Sequence, residues 1–171
     1  MPAPDEAATM TVDLPDDTTI VITRAVQAPR ALVFAAWTEP VHLRNWLLGP
    51  DGWSMPVCEV DLRPGGAWKY GYRNDASGEE FSLQGGFVEI SPPERLVTTE
   101  SWGPGWPEAL NTLVLTESGG KTTMTLTISY PSKEVRDKVI ATGMAGGVEV
   151  SYDRMEKYLA GVDGKGRERG G

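Results

Sequence analysis

Cysteine and histidine are nearly missing from this chain of 171 residues, which holds a single Cys58 and a single His42. One thiol cannot close an internal disulfide, and one thiol with one imidazole cannot build a Cys/His zinc cage. No metal or other cofactor is expected, and the compartment is expected to be reducing and cytoplasmic. Long apolar runs are lacking too. None approaches the roughly 20 residues of a bilayer-crossing helix, so no membrane partner is expected. No basic segment followed by an apolar stretch opens the chain, so no secretory signal is expected. Basic residues are the minority charge, with 16 Lys+Arg against 24 Asp+Glu and a net charge of -8. That balance repels a phosphate backbone, so no nucleic-acid partner is expected.

Hydrophobic residues at 40% and charged residues at 23% are the balance of a soluble globular protein. Residues 1–18 carry Asp5, Glu6, Asp13, Asp16 and Asp17 without Lys or Arg and read as a flexible acidic tail. Residues 161–171, rich in glycine and charge, read as a second flexible tail. One domain over residues 19–160 is the expected organisation.

Ile20–Thr23 is β-branched and reads as a strand that stops near Ala28-Pro29. Val33, Phe34 and Trp37 then share one face of a short helix, and Pro40 opens a second. Strand segments follow at 57–62, 67–72, 81–90, 96–102, 110–116 and 122–130, separated by proline- and glycine-rich turns. The count is about seven strands in an antiparallel meander. From Lys133 to Ala160, Val135, Val139, Met144, Val148, Tyr152, Met155 and Leu159 form an apolar stripe. This predicts one long amphipathic helix, with Ser132 as its N-cap, resting on the sheet.

Strand parity puts Trp68, Tyr70 and Tyr72 on one face, and Met124, Leu126, Ile128 and Tyr130 on one face. These amphipathic side chains, together with Gly143, Gly146 and Gly147 in the helix, favour a hollow between helix and sheet. Tight packing without a ligand has the same composition and stays open as the alternative. The candidate ligand-contacting residues are Trp37 and Trp46 from the short helices, and Trp68, Tyr70, Tyr72, Phe87 and Trp102 from the first strands. Met124 and Tyr130 from the last strand, and Met144, Val148 and Tyr152 from the long helix, complete the set.

Several phrases together resemble a known family. They are Ile22-Thr23-Arg24, Ala28-Pro29-Arg30, Val33-Phe34-Ala35-Ala36-Trp37-Thr38 and His42-Leu43 with Trp46 and Gly49-Pro50. Val57 to Gly66, Pro92-Pro93-Glu94-Arg95-Leu96 and the Gly143-Met144 helix extend them. The chain resembles the START-like superfamily, in the branch named after the activator of the ninety-kilodalton heat-shock protein ATPase. The resemblance implies a helix-grip α+β fold, a curved antiparallel sheet around a long C-terminal helix with a cavity between them. Where relatives often carry paired tryptophans before Gly-Pro, this chain has Trp46-Leu47-Leu48, which alters the expected cavity mouth.

A catalytic constellation is hard to find. Gly120-Lys121-Thr122 resembles the end of a phosphate loop, but Leu115 stands where that loop needs glycine, and the site lies between strands. His42 could act as a general base if it faced the cavity mouth; a helix histidine outside any site is the alternative. Cys58 reads as a buried apolar thiol, since no base or electropositive setting is legible beside it. Glu59 and Asp61, two apart on a strand, are the best acid/base pair, against a solvated face paired with Arg24, Arg63 or Lys69. Glu100 and Arg73 are candidate polar anchors at a pocket end.

Three functions follow: a carrier of a small hydrophobic or aromatic ligand, a cyclase, dehydratase or hydrolase using the same cavity, and a stress-response cochaperone stimulating a chaperone ATPase. The chain lacks a convincing proton-transfer set, which favours the first. Trp53, Trp102 or Trp106, if exposed, would supply a homodimer patch.

Overall fold

The computed structural model describes residues 10–162; the remainder of both expected tails, residues 1–9 and 163–171, lies outside the described residues. Strands β1 (Thr11–Asp13) and β2 (Thr19–Val26) come first, then helices α1 (Arg30–Thr38) and α2 (Pro40–Trp46). Strands β3 (Trp53–Val60), β4 (Ala67–Asn74), β5 (Glu80–Ser91), β6 (Arg95–Glu100), β7 (Ala109–Ser118) and β8 (Lys121–Ser129) form the meander. Helices α3 (Lys133–Ala141) and α4 (Met144–Ala160) close the described chain.

The strands make one antiparallel sheet in the order β1-β2-β8-β7-β6-β5-β4-β3. It has eight strands where about seven were expected. The addition is β1, which pairs Thr11 with Thr23 at the sheet edge, in a segment read above as tail. Arg136 holds the same segment, donating from Nη1 to the carbonyl of Asp16. Hydrogen-bonding capacity decides the matter: an acidic segment without a core can still satisfy its backbone on an open edge.

One long helix was expected after Ser132. The cap is present, with the Ser132 hydroxyl accepting from the Val135 amide at 3.2 Å. The helix is broken, however, because Gly143 adopts φ 80°, a left-handed conformation that separates α3 from α4. Gly146 meets nothing within 4 Å, and Gly147 lies 3.6 Å from the Pro50 ring by the position its Cβ would take. Only Gly143 therefore serves as a break.

The two halves of α4 are held differently. Its C-terminal half buries Ser151, Tyr152, Met155 and Leu159. Arg154 donates to the Trp46 and Gly49 carbonyls at 3.1 and 3.2 Å, and the Ser151 hydroxyl accepts from the Gly49 amide at 2.8 Å. Arg24, in the buried row of β2 and only 1% exposed, pairs with Asp153 at 2.8 Å and Glu156 at 3.4 Å. A buried guanidinium tolerates that position only with such partners, so the contact fixes where α4 crosses the sheet. Met144 and Val148, in the N-terminal half, are only half-buried. That half roofs the site described next.

Candidate functional site

Ile20 and Ile22 of β2, Val33 of α1, Leu43 and Trp46 of α2 and Met124 of β8 are fully buried and belong to one core. Beyond them the interior opens into a cavity of about 610 Å³. Its floor is the inward face of β4, β5, β6, β7 and β8; its roof is the start of α4 and the α2–β3 loop, including Leu47, Leu48 and Pro50. Such a volume lies within the range of small-molecule sites.

Curvature makes the hollow. Strand β5 pairs with β4 through Gly86 and with β6 from Phe87 onward, with a register shift before Glu89. At the crossing, a Cβ on Gly85 would stand 1.8 Å from the carbonyl oxygen of Thr99. The sheet bends there by bringing two backbones closer than any side chain permits. Trp68 lies over the same point and donates its indole N–H to the Thr99 carbonyl at 3.2 Å.

Most of the expected contacts line the cavity: Trp37, Trp68, Tyr70, Tyr72, Phe87 and Trp102, with Met144, Val148 and Tyr152 from α4. Trp68 and Tyr70 pack with ring centres 4.6 Å apart, and Tyr72 stacks on Phe81 at 5.0 Å. Trp46, Met124 and Tyr130 do not line it. Trp46 is sealed in the core and donates to the Ala36 carbonyl at 2.9 Å. Met124 has the inward parity of Leu126 and Ile128 but lies under α1, where its sulfur accepts from the Trp37 indole at 3.3 Å. Tyr130 follows the end of β8, where its amide bonds to the Thr18 carbonyl at 2.9 Å. Parity gave the right face, whereas the element lying above each residue decided between core and cavity.

The acid/base candidates are elsewhere. Glu59 is exposed and in register with Lys69, and Asp61 pairs with Arg63 at 2.8 Å, the solvated alternative stated for them. Arg24 is not their partner, since it serves Asp153 and Glu156. His42 is 1% exposed, with Nδ1 2.6 Å from the Tyr158 hydroxyl, and does not reach the cavity mouth. Cys58 is buried, which pushes its thiol up from the ordinary range and makes it a poor nucleophile. Arg73 is exposed and alternates with the inward Tyr72.

Glu100 does line the cavity, and so do Thr98 on the same strand and Asn111 on β7. Asn111 was missed, although it shares the parity of Leu113 and Leu115; a lone amide in an apolar inward row was the available signal. Burial pushes the phenols of Tyr70, Tyr72 and Tyr130 above their usual range, and the charge of Glu100 adds to the rise. They stay neutral hydrogen-bonding groups at neutral pH. Trp53, Trp102 and Trp106 are half-buried cavity residues and not the exposed patch considered for a homodimer.

The family model described as "Activator of Hsp90 ATPase homolog 1-like protein" matches residues 27–160. The chain belongs to this family. A protein of known structure from Rhodobacter sphaeroides is 28% identical, covering 91% of this chain and 100% of its own, with a TM-score of 0.83. A protein from Nitrosomonas europaea is 26% identical over 86% of this chain and 97% of its own, with a TM-score of 0.76. One from Mycobacterium smegmatis, at 23% identity and a TM-score of 0.78 over 88% of this chain and 97% of its own, shares the fold. No curated protein matches the chain in sequence. The family membership confirms the START-like, helix-grip reading of the sheet and C-terminal helices. Among the described residues no helix is long and apolar enough to cross a membrane.

Proposed function

We propose that this member of the family binds a small, mostly hydrophobic or aromatic molecule between the sheet and α4. The observation that carries the reading is the cavity of about 610 Å³ with an apolar, aromatic-rich wall and few polar groups. Burying roughly 200 Å² of apolar ligand surface contributes about 5 kcal/mol before entropy costs, which suits micromolar binding once polar groups orient the ligand. The enzymatic alternative has weaker support. Glu59, Asp61 and His42 do not line the cavity, so that chemistry would lack the proton carriers proposed for it. The family description supports a chaperone-directed, stress-response role, to be carried by the acidic outer surface toward a basic partner. The shortage of cysteine supports a cytoplasmic setting.

Titration with the neutral dye Nile red tests the binding reading. A saturable fluorescence rise with one site per chain and a micromolar dissociation constant is expected, with the melting temperature rising as dye is added. A linear, non-saturating response, or no thermal shift at saturating dye, contradicts it.

A further inference from the structure

Glu100 is the only charged side chain among the described residues that line the cavity. Its Oε1 accepts from Asn111 Nδ2 at 2.8 Å, and its Oε2 accepts from the Trp102 indole N–H at 3.1 Å. Both donors are neutral. Among the described residues no Lys or Arg forms an ion pair with it. Lys138 places its ammonium 4.5 Å from the centre of the Trp106 ring and takes part in no ion pair among the described residues. An ionised carboxylate has about four acceptor positions, so two hydrogen bonds leave half of its capacity unused.

A second observation points the same way. The Oδ1 atom of Asn111 is buried without a hydrogen-bond partner. Turning the amide over would face two acceptors, Oδ1 and the carboxylate, toward each other, so the present orientation is the favourable one. Glu100 and Asn111 thus form a pole with more acceptor capacity than the two donors, Asn111 Nδ2 and the Trp102 indole, take up. The cavity walls are aromatic, with Trp102 and Trp106 at 4.9 Å and Tyr70 and Tyr72 also lining them. Aromatic faces attract cations, more strongly when water is excluded. An anionic ligand would meet the carboxylate at low dielectric and be repelled, and a hydrocarbon would leave it uncompensated.

We propose that the cavity selects apolar amines, molecules with an aromatic or branched hydrocarbon body and one protonated nitrogen directed at Glu100. This rests on the binding reading above and names its ligand class. The ammonium donates to Glu100 and adds a charge-assisted hydrogen bond, while the body packs on Trp68, Phe87 and Val148. The charge of -8 on the whole chain raises the local concentration of such a ligand.

Displacement of Nile red by three probes of one shape tests this: naphthylmethylamine, naphthylmethanol and naphthoic acid, each with the full chain and with Glu100→Gln at neutral pH. In the unaltered protein the amine is expected to bind roughly tenfold or more tightly than the alcohol, the scale of one charge-assisted hydrogen bond, with the acid weakest. In Glu100→Gln the amine is expected to fall to within about twofold of an unchanged alcohol. An acid that binds as well as the amine, an amine no better than the alcohol, or an amine preference that survives in Glu100→Gln overturns the proposal. So does a dye that binds but is displaced by none of the three. The ranking in the unaltered protein decides even if the variant folds poorly. If the dye itself does not bind, the binding reading fails first and the amine proposal falls with it.

Discussion

Replacing Gly85 with alanine is expected to lower the stability by at least about 4 kcal/mol, enough to leave much of the protein insoluble on expression. The added Cβ would stand 1.8 Å from the Thr99 oxygen, 2.6 Å from its carbonyl carbon and 2.9 Å from the Trp68 ring. Two of these neighbours are backbone, so no rotamer change relieves the overlap, and β5 must part from β6. The Gln84–Ser101 pair of backbone bonds, at 3.1 and 2.7 Å, would be lost with it. Gly146→Ala is the control. Its Cβ meets nothing, and in the first turn of α4 alanine is better than glycine by up to about 0.5 kcal/mol, so the melting temperature is expected to hold or rise slightly. Chemical denaturation of both variants checks the pair. Equal small effects would mean that the bend at Gly85 does not hold the two backbones together as described.

The second large effect concerns the interior. Thr98 on β6 and Val148 on α4 are half-buried and face the cavity from opposite walls. In a filled core, each small-to-large change costs roughly 1 to 3 kcal/mol through strain. In a hollow the added indoles find room and gain contacts. The double variant Thr98→Trp with Val148→Trp is therefore expected to keep its stability within about 1 kcal/mol while Nile red affinity falls at least about tenfold. Denaturation and dye titration on one sample read both quantities. A double variant that is strongly destabilised, or that binds dye as before, is the opposite result.

Much of this architecture is legible in the sequence because its signals are local. The β-branched run at Ile20, the turn residues between strands and the apolar stripe from Val135 to Leu159 each identify an element through steric or burial preferences of a few neighbouring residues. The inward faces follow from parity, which placed Trp68, Tyr70 and Tyr72 correctly. What stayed hidden depends on contacts distant in sequence. Gly143 looked like one of three helix glycines, and only its backbone angle separates it from Gly146 and Gly147. Gly85 reads as an ordinary strand glycine until Thr99 is brought against it. Met124 and Leu126 alternate alike along β8, yet one is core and the other cavity because α1 covers only the first. The polar pole was half visible. Glu100 was named as an anchor, whereas Asn111, its partner across β6 and β7, was not.

The hollow beneath α4 is tested most directly by the indole N–H signals in a proton–nitrogen correlation spectrum while naphthylmethanol is added. Of the six tryptophans, Trp37, Trp53, Trp68, Trp102 and Trp106 line the cavity, and Trp46 is sealed in the core with its N–H on the Ala36 carbonyl. Saturable shifts at the cavity-lining indoles, with Trp46 moving least, are the result this account requires. Unmoved indoles at saturating probe, or shifts confined to exposed residues such as Val41 and Val88, would show that the space between sheet and helix admits no guest.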